Sequence, residues 1–148
     1  MHPLRVAIRR GDGPADDETG RALLRAYFAG WGPLDDRAQA YVAAFPEPFA
    51  CYLLAGERGL VCLREMAPGV GEVKRLYVVP AARRLGVARA LMAAVVDEAR
   101  ALGYHTLRLD TPDRPSSPAI ALYESLGWRR IPPWDDHPFP MTAFERDV

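Results

Sequence analysis

Two arginines, a glycine and an alanine stand close together in VVPAARRLGVARALMAAVV (78–96), where a strand-like run gives way to a helical one. The first-turn N–H groups of a helix have no partner within the helix. Together with the helix dipole they make a site for an anion. A phosphate reaches them only where the neighbouring side chains are small, as Gly86 and Ala88 are, and Arg83 and Arg84 add positive charge at the same mouth. The chemistry this stretch suits is the cradling of a diphosphate. It is neither of the commoner phosphate loops, because GxxxxGK[ST] and GxGxxG are both absent. The glycines 69 and 71 precede a strand and not a helix.

A second group of chemically able residues lies in PPWDDHPFP (132–140), where Trp134 stands beside Asp135 and Asp136. An aromatic face next to carboxylates can hold a cationic amine; a proline-stiffened surface loop is the alternative. Tyr27, Phe28 and Trp31 fall at helical spacing and could line the same acceptor pocket, with core packing as the plainer reading. The histidines at 2, 105 and 137 lack metal-ligand spacing, and no serine stands in a GxSxG context. No metal site is expected.

These groups need elements to position them. LRVAIRR (4–10) alternates as a half-buried strand does. A helix is predicted from Asp17 to Trp31, broken by Gly32 and Pro33, and a second over 34–45 with Asp35 or Asp36 near its N-cap. FACYLLA (49–55) and GLVCLREM (59–66) read as a hairpin, in which Cys51 and Cys62 are expected to be free thiols facing one another. EVKRLYVV (72–79) alternates Val73, Arg75, Tyr77 and Val79 against Glu72, Lys74, Leu76 and Val78, and Pro80 stops it. A long helix is predicted over 84–102, burying Leu85, Ala88, Leu91, Val95, Ala99 and Leu102, with Gly103 at its exit. Then come a strand (105–111), a helix (116–127) with Pro118 in its first turn, and two closing strands (128–134 and 140–148). Strands interleaved with helices at both ends imply an α+β or mixed α/β fold with helices on both faces of a mixed sheet.

At 148 residues, 49% apolar, the chain fits one domain spanning 1–148 with a real core. Nineteen basic and nineteen acidic residues leave no net charge, which argues against a nucleic-acid partner. No apolar run has membrane-spanning length, the N-terminus has no hydrophobic signal core, and the two cysteines form no CxxC pair. A reduced cytoplasmic protein is the simplest expectation.

RRLGVA (83–88) matches the R/Q-x-x-G-x-G/A signature of the GNAT superfamily of N-acetyltransferases, and EVKRLYVVPAARRLGVARALMAAVVDEARALGYHTLRLDT resembles that family's strand 4, signature loop, helix 3 and strand 5. SPAIALYESLGWRRI (117–131) is similar to its following block, A-x-x-L-Y-x-x-x-G-F/W. The resemblance implies a GNAT fold, a mixed and mostly antiparallel sheet splayed between strands 4 and 5. It implies acetyl-coenzyme A as co-substrate, held by Arg83, Arg84, Gly86, Val87, Ala88 and Arg89, with the pantetheine arm along Leu76 and Val78. A bulge on strand 4 would free those backbone groups, and the Val78 N–H would face the thioester oxygen. Tyr123 matches the family tyrosine that protonates the departing thiolate, a core tyrosine being the plainer reading. Glu72 matches a frequent position of the base, which would take a proton from the ammonium substrate directly or through water, a solvated residue at a strand start being the plainer reading. Ser116 stands where the family often has an asparagine that bonds the pantetheine. The implied reaction is direct acetyl transfer to a primary amine, on a small molecule, an amino acid or a protein; a homodimer is compatible with it. The alternative is an acyl-coenzyme A binding or sensing module without catalysis.

Overall fold

The computed structural model describes residues 6–114 and 117–148. Its elements in chain order are β1 (Arg9–Arg10), α1 (Gly13–Ala29), α2 (Asp36–Ala44), β2 (Cys51–Leu54), β3 (Gly59–Ala67), β4 (Val70–Val78), a 3-10 turn (Pro80–Ala82), α3 (Val87–Ala101), β5 (Thr106–Pro112), α4 (Pro118–Ser125), β6 (Arg129–Ile131) and β7 (Met141–Asp147). The strands form one sheet in the order β1-β2-β3-β4-β5-β7-β6. Neighbours are antiparallel except β4 and β5, which run parallel. The expected mixed, mostly antiparallel sheet is therefore present.

Two apolar clusters cover its faces. On one face Cys51, Leu53, Val61, Leu63 and Val73 pack against Val87, Leu91, Val95 and Ala99 of α3, and the cluster continues to Leu107, Tyr123, Trp128 and Phe144. On the other, Leu54, Leu60 and Cys62 meet Leu23 and Leu24 of α1 and Val42 of α2. Cys51 and Cys62 are free and buried. They belong to opposite faces, because Cys51 is opposite Leu63 and Tyr52 is opposite Cys62. Residues one apart across this register point to different sides of the sheet, so the expected cross-hairpin facing does not occur.

Several boundaries move for local reasons. α1 starts at Gly13, four residues before Asp17, with Pro14 in its first turn, a position that suits proline. The Asp16 carboxylate accepts from the Asp12 N–H at 2.9 Å and pairs with Arg9 at 2.6 and 2.5 Å, which pins that start. α3 begins at Val87 and not at Arg84, because Arg84 (φ 66°) and Gly86 (φ 82°) occupy the left-handed region and cannot continue a helix. Leu85 thus falls outside α3 and, like Leu102 at its C-cap, is exposed. β6 ends at Ile131, where Pro132 and Pro133 cannot donate to a ladder. β1 is only two residues long within the described chain.

Candidate active site

β4 is two half-strands. Its first half is paired on both sides. Val70, Gly71 and Glu72 stand opposite Thr106, Leu107 and Arg108 of β5, while Ala67, Glu65 and Arg64 of β3 flank them on the other edge. From Val73 onward β4 has no partner in β5, which is paired with β7 along its whole length, from Thr106 opposite Asp147 to Pro112 opposite Met141. The second half of β4 remains on β3, but with one residue too many. Leu60 faces Tyr77 and Cys62 faces Lys74, so Arg75 and Leu76 together oppose Val61. Arg75 takes the extra residue's turn with φ 59°. This is a β-bulge, and it reverses the alternation beyond it. Leu76 and Val78 pack with the α3 face and Tyr77 with the α1 face, contrary to the simple alternation expected along 72–79.

The opening between the diverging strands is a cavity of about 890 Å³. Leu76 and Val78 line one wall, and Thr111 and Pro112 of β5 another. Arg83, Arg84, Gly86, Val87, Ala88 and Arg89 form its mouth, so the whole predicted cradle faces one space. Gly86 is the N-cap of α3, and no side chain caps the helix there, which leaves first-turn N–H groups available. A Cβ built on Gly86 would meet nothing within 4 Å. Glycine is therefore demanded by the positive φ and by access to those amides, and not by crowding from the protein itself. The Arg83 Nε–H donates to the Val78 carbonyl at 3.2 Å and ties the loop to the end of β4, while Arg89 donates to Ser125 Oγ at 2.8 Å. An uncapped helix start, small residues and three cations suit a diphosphate.

Other predicted residues are placed differently. Tyr123 lies one layer below the cavity: its neighbour Leu122 lines the wall, while the Tyr123 ring packs on Trp128 and Phe144 with centroids 6.3 and 5.7 Å away. Burial pushes its phenol up, and the neighbouring Tyr27 and Asp110 add to that. Its hydroxyl has no hydrogen-bond partner among the described residues. Trp128 Nε1 is the one side-chain polar atom there that is both fully enclosed and unpaired.

Glu72 does not reach the cavity, although proximity to the cleft was the reason to expect a base there. It sits in the doubly paired half of β4, 2% exposed, with Arg64 Nε at 2.7 Å and Lys74 Nζ at 3.8 Å from its carboxylate. Trp134, Asp135 and Asp136 line neither this cavity nor the smaller one beside it, and the two aspartates are exposed. His137 is the residue that their loop contributes. Trp31 lines both cavities, 51% exposed, under the Arg114 guanidinium at 4.6 Å. Ser116 lies outside the described residues; its neighbour Ser117 caps α4, accepting from the Ile120 N–H at 3.4 Å, and lines the cavity. Tyr27 lines the larger cavity and Phe28 the smaller one. Thr111 and Arg114 are further wall residues that nothing in their local sequence pattern marks.

The chain matches the model of the acetyltransferase (GNAT) family over residues 12–128. It belongs to that family. It is 28% identical over 158 residues to an uncharacterised N-acetyltransferase of Schizosaccharomyces pombe, covering 99% of this chain and 96% of the relative. It is 39% identical over 77 residues to the IAA acetyltransferase of Azospirillum brasilense, covering 51% of this chain and 50% of that enzyme. The crystal structure of a Bacillus subtilis acetyltransferase in complex with CoA has the same fold, with a TM-score of 0.72 at 20% identity over 97% of this chain and 99% of that one. This GNAT chain is accordingly an enzyme of the acyl-CoA N-acyltransferase class. Among the described residues no helix is long and apolar enough to cross a membrane, and no group of three potential ligands could hold a metal ion.

Proposed function

We propose that this protein transfers the acetyl group of acetyl-coenzyme A directly to a primary amine. The observation that carries the reading is the convergence of the uncapped start of α3, Gly86 and the unpaired half of β4 on one cavity of about 890 Å³. The first-turn amides of α3, with Arg83, Arg84 and Arg89, would hold the diphosphate, and the free edge of β4 at Leu76 and Val78 would hold the pantetheine amides. Acetyl-coenzyme A supplies the activated thioester.

The neutral amine forms the new C–N bond as the C–S bond breaks. Donation from the Val78 N–H to the thioester oxygen offsets the charge that develops there. The amine's proton leaves to water, since the Glu72 carboxylate lines neither cavity and is engaged by Arg64 and Lys74. Tyr123 returns a proton to the thiolate. Burial keeps its phenol protonated, the form a donor needs, and also makes it a reluctant donor.

The first test is calorimetric titration with acetyl-coenzyme A of the wild type and of Arg83→Glu and Gly86→Glu. Wild-type binding that weakens at least tenfold in both variants is the expected result. Binding by the wild type that neither change affects would remove the cradle from these residues.

A further inference from the structure

A smaller cavity of about 320 Å³ adjoins the first, with Trp31 as the shared wall. Its remaining lining comes from α1, the α1–α2 connection, α2, the bulge of β4 and the 132–140 loop. Arg37, Lys74 and Arg75 bring three cations to it, and His137 stands at its edge, 3.3 Å from Asp110. Asp35 is the one carboxylate in the lining, and its Oδ1 is taken up by the Ala38 N–H at 2.8 Å as the cap of α2. The expected acidic pair, Asp135 and Asp136, is not part of the lining.

Arg75 is the unusual member. The bulge holds it at φ 59°, a strained conformation for a side-chain-bearing residue. Its guanidinium lies over Phe28 and Tyr41 at 5.1 Å each and over Tyr27 at 5.8 Å. Lys74 has Glu72 as its counter-ion, and Arg37 donates to the Tyr41 hydroxyl at 3.4 Å. Arg75 forms no ion pair with any described carboxylate. Three rings fix its plane while leaving its fork of donors for a planar anion, the arrangement that favours arginine over lysine at a carboxylate site. The field in the cavity is visible on Tyr41, whose phenol is held below its ordinary range by the Arg37 hydrogen bond first, against the effect of burial, and then by Arg37, Arg75 and Lys74.

Resting on the acetyl-transfer reading, we infer that the acceptor is an amine that carries a carboxylate, of the amino-acid type, and that Arg75, with Arg37 and Lys74, recognises that carboxylate. The bulge that frees one edge of β4 for the thioester puts Arg75 three residues from Val78, so amine delivery and carboxylate recognition share one short segment. Polycationic amines are disfavoured by the same three charges.

The test is acetyl-coenzyme A-dependent thiol release with a panel of L-amino acids, each paired with its primary amide, together with phosphoethanolamine and spermidine. Amidation lowers the amine's own proton affinity, which by itself favours the amide, so a preference for the acid reports recognition. The expected result is kcat/KM at least tenfold higher for the best acids than for their amides. Arg75→Gln should reduce kcat/KM for those acids at least tenfold, mainly through KM, while affinity for acetyl-coenzyme A persists. Arg37→Gln, at an exposed helix position, should act in the same direction, and it carries the test should Arg75→Gln fail to fold. Equal or faster transfer to amides or spermidine, a preference for phosphoethanolamine, or acetyl-coenzyme A binding without transfer to any acid would each overturn the inference. Failure of the wild type to bind acetyl-coenzyme A would instead remove the reading beneath it.

Discussion

At the scale of the residue, Tyr123 carries the sharpest question, because one side chain is asked to be both core and acid. It is 6% exposed and packs on two aromatic rings, as any core tyrosine would. Removing only its oxygen separates the roles. Tyr123→Phe keeps the ring and its contacts, so the urea midpoint should stay nearly constant. A positioned proton donor is worth roughly 10²–10⁴-fold, so kcat should fall by at least about 10²-fold while acetyl-coenzyme A affinity is unchanged. Wild-type turnover in Tyr123→Phe would assign the residue to the core alone. The sequence offered both readings, and it grouped the 83–89 residues that line one cavity, because their signal is local. Gly86 and Arg84 adopt positive φ within their own loop. The true environments of Glu72 and Arg75 were not legible. Each depends on a neighbour distant in sequence: Glu72 on the facing Arg64, Arg75 on rings from α1 and α2.

At the scale of the element, β4 divides its labour at Glu72. The first half is locked between β3 and β5, and the second is open on one edge. The Glu72 carboxylate stitches β4 to β3 through Arg64 at 2.7 Å, inside a nearly closed environment. Glu72→Gln should therefore lower stability by about 2 kcal/mol, the scale of a hydrogen bond to a charged group, since the Arg64 left behind is partly exposed and stays solvated. The urea midpoint should report that loss, with kcat at saturating acceptor within about threefold of wild type. A kcat reduced about 10²-fold, accompanied by a changed acid limb of the pH profile, would return Glu72 to the role of base. The bulge explains why the strand was readable as a strand but not as two halves. One extra residue leaves the composition unchanged and reverses every side chain beyond it.

At the scale of the whole molecule, stability should be asymmetric in pH. Burial pushes the Cys62 thiol up, the Cys51 thiol up, and the Tyr52 and Tyr123 phenols up; for Tyr52 a hydrogen bond to Asp17 adds to burial. Each is protonated and neutral when folded. The unfolded chain releases these protons from about pH 8.5 for the thiols and about pH 10 for the phenols. A raised folded pKa gives stability that is complete below the unfolded value and is lost as pH climbs through the folded one. Stability should therefore decline from about pH 8.5 upward and more steeply above about pH 10. At the acid end, hydrogen bonds from Arg9 and the Asp12 amide hold Asp16 below the usual carboxylate range, and Arg108 and Arg129 do so for Glu145. Their contribution is present above that range and lost as pH falls through their folded values. Urea midpoints between about pH 3 and pH 11 test both limbs. A midpoint level to about pH 10.5 would contradict the burial of the thiols.

The sequence by itself determined the family fold, the loop with its positive-φ glycine ahead of α3 and most of the element order, because each rests on contiguous residues: periodicity, a proline stop, a glycine where φ must be positive. Tertiary structure alone decided which face Tyr77 and Cys62 occupy, how Glu72 is enclosed, and where charge collects. It gathered Arg37, Lys74 and Arg75 around one small cavity and left Asp135 and Asp136 outside both cavities. The physical reason is that strand register and helix docking are settled by burial summed over the whole sheet. A charge's meaning at a site depends on the neighbours which that docking brings to it.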